Sequence, residues 1–199
     1  MMSVKSQLKP SLRERKKEKT LTGVQETALR LFMKQGYDNT TIEQIAEAAE
    51  ISPSTFFRYF PTKGAVVLHD SLDPILIDVL HSQPANLNVV QALRRTLTTV
   101  FAEMPKERLD RELQRGELIR TVPELRAAML DEFARNIDML SELIAERKGL
   151  AADDLAVRTL AGAIIGVIMS ALLKDTNPKA EYFSHFDEAL EQFEKGLSL

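Results

Sequence analysis

Ser54, Thr55, Phe57 and Arg58 lie within a single short stretch, SPSTFFRYF. At about 100° per residue, Ser54, Phe57 and Arg58 share one side of a helix, with Thr55 on the flank. Phe56 and Phe60, four residues apart, fall on the other side and are placed to anchor it. A helix this short has no stability of its own, so a packing partner must hold it. Burying Phe56 while presenting Phe57 and Arg58 makes little sense for packing alone. It suits docking onto a nucleic acid, with hydroxyls for phosphates, a ring for a sugar or thymine methyl, and Arg58 for a guanine edge. A small helical hairpin inside an ordinary helical domain is the competing reading.

Catalytic chemistry finds little to work with. The three histidines, His69, His81 and His185, are far apart, and none lies in a zinc-protease, phosphate-loop or nucleophile-elbow context. With no cysteine there is no disulfide, thiolate nucleophile or zinc–thiolate site. His69, Asp70 and Asp73 imitate a metal cluster, but a helix surface explains them equally well. No catalytic residue, metal site or cofactor is expected. The opening MMSVKSQLKPSLRERKKEK has no apolar run and does not read as a signal peptide, so a cytoplasmic location away from any membrane is expected.

The elements that must position this stretch are also readable. Thr41 with Gln44 makes a capping-box pattern, and Thr40 with Glu43 offers the same box one residue earlier. Ile42, Ile45, Ala46 and Ala49 then form an apolar stripe at helical spacing. Ser52 is an N-cap candidate with Pro53 at the first helical position. Only Glu50 and Ile51 separate the stripe from that cap, so the connection is a tight turn, as in a helix-turn-helix. Upstream, Leu21, Val24, Ala28, Leu31 and Phe32 form the stripe of a first helix closed by Gly36, completing a three-helix unit.

From Leu21 to Leu72 the chain resembles the DNA-binding domain of the TetR family of bacterial transcriptional regulators. The resemblance rests on Ala28, Leu31, Phe32, Gly36 and Tyr37, then Thr40-Thr41-Ile42, Ile45-Ala46, Ala49 and Ile51-Ser52. It continues through Thr55-Phe56-Phe57, Tyr59-Phe60 and Lys63. Two departures stand out. Glu50 takes the place of the usual turn glycine, where a left-handed backbone costs strain; Pro61 follows the recognition helix and should end it sharply. The resemblance implies that Thr41 contacts phosphate, and that Ser52, Ser54, Thr55, Phe57, Arg58 and Tyr59 form the recognition surface. Lys63 would hold a phosphate on the far side. Arg58 is the candidate base reader, with Tyr59 and Lys63 positioning.

The rest of the chain reads as all-α. A fourth helix is expected from Thr62 to about Leu80. Further segments follow at about Leu87–Met104, Lys106–Arg120, Glu124–Lys148, Asp153–Lys174 and Lys179–Lys195, broken at Pro105, Pro123, Gly149 and Asn177-Pro178. The expected organisation is a basic flexible tail over 1–19, a helix-turn-helix domain over 20–66, and a helical ligand-binding and dimerisation domain over 67–199. Charge divides likewise. Residues 1–70 carry 11 Lys and Arg against 8 Asp and Glu, whereas residues 71–199 carry 15 against 21. The acidic total therefore does not argue against nucleic-acid binding, because the basic part coincides with the reader. The first 19 residues, with 7 basic and 2 acidic side chains, are either a solvated tail or an arm touching phosphates.

Thr159 to Leu173 contains no charged residue and carries Gly162, Gly166 and Ser170 at four-residue spacing. Its 15 residues fall short of the roughly 20 that span a bilayer, so it should be buried on all sides. It reads either as the core helix of one subunit or, with Tyr182, Phe183, Phe186, Leu190 and Phe193, as a two-fold interface. The TetR resemblance favours the second, because the family's last two long helices make its dimer. It also implies a palindromic operator, usually repression, and an apolar cavity in the middle helices for a small-molecule effector. Candidate lining residues are Phe101, Met104, Leu118, Met129, Phe133, Ile137, Ile164 and Ile168. Arg108, Arg111 and Arg115 share a helical face and could meet an acidic ligand, but Glu107, Asp110 and Glu112 are near enough to make a solvated, salt-bridged face. RTVPELRAAM (120–129) together with SPSTFFRYFPTK is similar to a TetR branch with acyl-CoA-like ligands. The alternatives carried forward are an adaptor that uses the same fold to bind protein, and a helical enzyme.

Overall fold

The computed structural model describes residues 11–69, 72–173 and 182–196, and all regular structure among them is helical. The chain divides into two compact units between Val66 and Val67.

The first unit is built on α1 (Leu12–Gln35), α2 (Ile42–Ala48) and α3 (Pro53–Tyr59). Helix α1 begins earlier than the sequence suggests. The part of the expected flexible tail that falls among the described residues is helical from Leu12 onward, and residues 1–10 lie outside them. The reason is local, since LRERKKEK consists wholly of strong helix formers. Val24, Ala28, Leu29 and Phe32 bury the inner face of α1, and Gly36 closes it at φ +88°.

Of the two capping boxes open in sequence, Thr41–Gln44 is the one that forms. The Thr41 hydroxyl accepts from the Gln44 N–H at 3.2 Å, and the Gln44 side chain accepts from the Thr41 N–H at 3.0 Å. Thr40 is buried instead and donates to the Gly36 carbonyl at 2.8 Å. At the other end, Ile51 N–H bonds the Ala46 carbonyl and Glu50 N–H bonds the Glu47 carbonyl. This paired pattern, a Schellman motif, requires a left-handed residue between helix and turn. That residue is Glu50, at φ +54°. Ser52 caps α3 by accepting from Thr55 N–H at 3.1 Å, with Pro53 in the first turn. Phe60 ends the helix in an extended conformation, as a residue before proline must.

The division between the units falls inside α4 (Lys63–Leu68). The single helix expected from Thr62 to Leu80 is in fact two, α4 and then α5 (Asp73–Ser82). Pro74 is the cause. It has no N–H to give, its ring clashes with the carbonyl four residues back, and it fits only in a first helical turn, where the structure puts it.

The second unit continues with α6 (Val89–Ala102), α7 (Lys106–Thr121), α8 (Pro123–Lys148), α9 (Leu155–Leu173) and α10 (Tyr182–Glu194). Val89 and Val90 of α6, Leu140 and Ile144 of α8, Val157, Ala161 and Ile164 of α9, and Leu190 of α10 form its core. Arg94 fastens α6 to α10. Its guanidinium donates to both carboxylate oxygens of Asp187, at 2.8 and 3.1 Å, and to Glu194 at 3.0 Å. These partners, Asp187 foremost, push the arginine above its ordinary pKa. The Glu194 carboxyl is held below its usual value, first by the Gln91 side-chain amide and then by Arg94. Arg147 of α8 in turn donates to the carbonyls of Gln83, Pro84 and Leu87 and holds the α5–α6 connection.

Helix α9 departs from the expectation of burial on every side. It is long and apolar enough by composition to cross a membrane, yet within one chain only Val157, Ala161 and Ile164 are buried. The side chains of Tyr182 and Phe183 lie outside the described residues, while Phe186 and Leu190 are buried.

Replacing Glu50 by Gly should stabilise the first unit by about 1 kcal/mol, because the left-handed turn then carries no Cβ penalty. Glu50→Ala should give no such gain. Paired urea titrations of the two variants and the wild type measure the difference; equal midpoints for Gly and Ala would show that Glu50 stores no strain.

Candidate functional site

The exposed surface of the first unit is defined by what α3 hides. Phe56 and Phe60 are buried with ring centroids 5.7 Å apart, and Phe57 stands edge-on to Phe56 at 5.8 Å while remaining 52% exposed. Ser52, Ser54 and Arg58 are exposed and Thr55 and Tyr59 are half-buried. The hydroxyls are not independent. Ser52 Oγ lies 2.9 Å from Ser54 Oγ and 3.0 Å from Thr55 Oγ1, so the cap also organises the outer face. The Arg58 guanidinium sits 5.0 Å from the Tyr59 ring centroid. That stacking restrains a long side chain and leaves its donor edge directed by the ring plane. Thr41, also exposed, uses its hydroxyl as an acceptor in the capping box and keeps its own O–H to give.

Lys63 has a role the sequence did not suggest. Its ammonium donates to the Tyr37 carbonyl at 2.8 Å and the Thr40 carbonyl at 3.1 Å, and lies 4.1 Å from the Tyr37 ring centroid. Two of its three N–H bonds therefore fasten the α1–α2 turn to the start of α4. One N–H is left for any outer contact. The spacing of Tyr37, Thr40 and Lys63 in sequence carries no sign of this, because the partners are backbone atoms.

The second unit holds a cavity of about 230 Å³ lined by α5 to α10. Of the residues expected to line it, Phe101 and Ile168 do so. Leu118 and Met129 are buried away from it, Ile164 belongs to the core, and Ile137 packs against that core and near Gly162. Met104 and Phe133 are half-buried and do not line it either. On α8 the lining face is Asn136, Met139, Leu140 and Leu143, a stripe offset from the expected one. A polar residue inside an otherwise apolar stripe, as Asn136 is, was the available signal.

The expected solvated charge face on α7 is also revised. Glu112 is buried, only 14% of the Arg115 side chain is exposed, and both line the cavity together with Asp73. Arg115 Nε lies 3.0 Å from Glu112 Oε2, and Arg115 Nη1 donates to the His69 carbonyl at 3.0 Å. The pairing foreseen between Glu112 and Arg115 exists, but it is inside.

A helix-turn-helix whose second helix is exposed on a tri-helical unit, followed by a helical unit with an apolar cavity, is the arrangement of helix-turn-helix regulators. The comparisons agree. Residues 25–69 match the model described as bacterial regulatory proteins, tetR family, and residues 87–198 match the MftR C-terminal domain. The regulator TcmR of Streptomyces glaucescens is 36% identical over 152 residues, covering 73% of this chain and 67% of TcmR. MftR of Mycobacterium tuberculosis, a putative mycofactocin biosynthesis regulator, is 27% identical, covering 79% of this chain and 80% of its own. The chain belongs to the TetR family of bacterial transcriptional regulators. The fold is also that of a TetR-family regulator from Syntrophomonas wolfei (TM-score 0.62, 18% identity, covering 92% of this chain and 98% of that one). Thermus thermophilus FadR, a repressor solved with lauroyl-CoA, shares it as well (TM-score 0.56, 24% identity, 90% and 95% covered).

Lys63→Ala should cost the first unit about 2–3 kcal/mol, since two charge-assisted bonds to carbonyls are lost. Lys63→Arg should recover part of it. Chemical denaturation of the three proteins decides, and an unchanged midpoint in Lys63→Ala would leave the ammonium no structural part.

Proposed function

We propose that the protein is a homodimeric repressor that binds a palindromic operator through α3 and is released by a small apolar effector held in the cavity of the second unit. The observation that carries the reading is the division of α3, with Phe56 and Phe60 buried on one side and Ser54, Phe57 and Arg58 exposed on the other. On this reading Arg58 reads a base, Tyr59 sets its direction, and Ser52, Ser54, Thr55 and Phe57 complete the recognition surface. Thr41 and the remaining N–H of Lys63 take phosphates. A two-fold axis would set two such helices about one DNA turn, roughly 34 Å, apart. Helix α9 supports the dimer, because its apolar surface is only partly covered within one chain, and family habit places the interface on α9 and α10. The protein would act in the cytoplasm by binding alone.

Effector release requires that occupancy of the cavity change the reader's affinity, and such coupling is reciprocal. Helix α4 is the covalent route for it. Its first residue, Lys63, holds the carbonyls of the α1–α2 turn, and the residue just after it, His69, gives its carbonyl to the cavity residue Arg115. An acyl chain remains among the candidate effectors, since FadR is solved with lauroyl-CoA and the 120–129 segment is similar to that branch.

The test is selection of bound sequences from a random DNA library by the full-length protein, followed by titrations on the selected site and on random DNA. Arg58→Ala should lose about 1–3 kcal/mol on the selected site and little on random DNA. Equal losses on both would remove Arg58 as the base reader. If no sequence is enriched even at low salt, the protein-binding adaptor takes the place of the DNA reader.

A further inference from the structure

Residues 12–19, LRERKKEK, form the first two turns of α1. Every described side chain among them is exposed, and Leu12 keeps 72% of its surface open. The first residues of α1 to be buried are Val24 and Gln25. The start of the helix therefore runs about 12 Å, at roughly 1.5 Å per residue, without burying a described side chain. It carries Arg13, Arg15, Lys16, Lys17 and Lys19 against Glu14 and Glu18. At helical spacing the cations adjoin one another. Arg13 lies three and four residues before Lys16 and Lys17, and Lys16 and Arg15 lie three and four before Lys19. Like charges at these spacings repel across a helix surface. None of these five cations has an ion pair among the described residues. Exposed helices elsewhere in the chain do pair theirs, Arg135 with Glu132 and Lys195 with Glu191.

We infer that the basic start of α1 is a second DNA-contacting surface, one that holds the phosphate backbone and reads no sequence. The inference goes beyond the reading of α3 but rests on it, because both surfaces belong to one three-helix unit. A polyanion relieves the repulsion that the bare helix carries, and duplex DNA presents one negative charge per roughly 1.7 Å of its axis. The way the cations are held separates the two roles. Arg58 is stacked on Tyr59, as a base reader must be restrained to discriminate. Arg13, Lys16 and Lys17 are exposed on long stems, which suits contacts that position a protein on the backbone without specifying sequence. The stretch is also continuous with the reader. The same helix ends at Gly36, and Lys63 fastens the turn that leads into α2. Because α1 already orders this backbone, binding does not carry the entropy cost of folding a free arm onto DNA.

The experiment measures affinity against salt concentration for the full-length protein, on the DNA sequence it selects and on random DNA. One variant combines Arg13→Gln, Lys16→Gln and Lys17→Gln, which removes charge and keeps good helix formers. A control combines Lys106→Gln, Arg126→Gln and Lys148→Gln, removing the same charge from exposed positions of the second unit. Circular dichroism confirms that each is folded. Each phosphate contact contributes about 0.9 to the slope of log affinity on log salt, so the α1 variant should lose roughly two to three per bound subunit. At about 0.1 M salt it should bind both DNAs about tenfold more weakly or worse, with their ratio unchanged, while the control keeps wild-type affinity. Lys16→Glu replaces the triple variant if that does not fold, and should lower the slope by about one. A wild-type slope, with the selected sequence still bound, would overturn the inference and leave α3 standing as the reader. Equal losses in the control, or a loss confined to the selected sequence, would overturn it as well, the first as diffuse charge and the second as base reading. If the wild type enriches no sequence and holds no random DNA, the reader falls and the inference with it. Binding of phosphatidylserine vesicles that the α1 variant loses would then give the stretch to a membrane surface.

Discussion

Two helices of seven residues each cannot persist alone, since nucleation costs more than so few backbone bonds return. Everything about the first unit follows from that constraint. Phe56 and Phe60 are fully buried because nothing else can hold α3, and Ile45 and Ala46 do the same for α2. The caps are equally necessary. In a helix of seven residues most backbone N–H and C=O groups are terminal, so Thr41, Gln44 and Ser52 satisfy a large share of the donors that would otherwise be unpaired. What remains after these demands is one outward face, and that face is where Ser54, Phe57 and Arg58 are placed. That outward surface is thus what packing leaves over, made orderly by the Ser52 cap and by the stacking of Arg58 on Tyr59.

The second unit meets a different constraint, how to leave a space without collapsing into it. The core formed by α6, α8, α9 and α10 is closed by small and branched residues, with Ala161 and Ile164 completely buried. The cavity lies on the neighbouring faces of the same helices. A buried Glu112–Arg115 pair at its edge contributes little net stability, because removing both charges from water offsets most of their attraction. Its consequence is positional, since it fixes two charges at the edge of an otherwise apolar cavity. It also ties the edge of the cavity to the backbone just past α4 through the His69 carbonyl.

The first unit was legible in sequence to a degree the second was not, and the reason lies in where the information resides. Capping boxes, N-cap serines and turn strain are local, so Thr41, Gln44, Ser52 and the left-handed Glu50 could be read from neighbours within five residues. The Pro74 break is equally local, but Leu68, Leu72, Ile75, Leu76 and Val79 keep the spacing of one helix across it and mask it. The carbonyl contacts of Lys63 and Arg115 could not be read at all, since their partners at Tyr37, Thr40 and His69 are distant in sequence. The cavity face failed for a third reason. Apolar side chains on α8 line a pocket or fill a core according to a rotation of about 100° per residue. Met129 and Phe133 differ from Met139 and Leu143 only in which neighbours they meet.

Helix α9 contributes to both the core and the cavity. Composition demanded burial on all sides, and the fold buries one face, on Val157, Ala161 and Ile164. The remaining apolar surface includes Ile165 and Ile168, which face the cavity, so part of the unmet burial is cavity wall. The rest, including Leu173, exposed at its end, is surface that a second copy would cover in the proposed dimer. A single helix would then serve core, cavity and interface by rotation about its axis. That explains why a charge-free sequence is required there, because a charged residue on any of the three faces would be buried without a partner. It also explains the glycines. At Gly162 an added Cβ would stand 3.8 Å from Ile137 Cδ1, an ordinary contact. Packing against α8 therefore does not demand a glycine there, and among the described residues no neighbour within 4 Å constrains Gly166. Neither glycine is required by the packing seen inside one chain. Both suit faces that a second copy would cover in the proposed dimer.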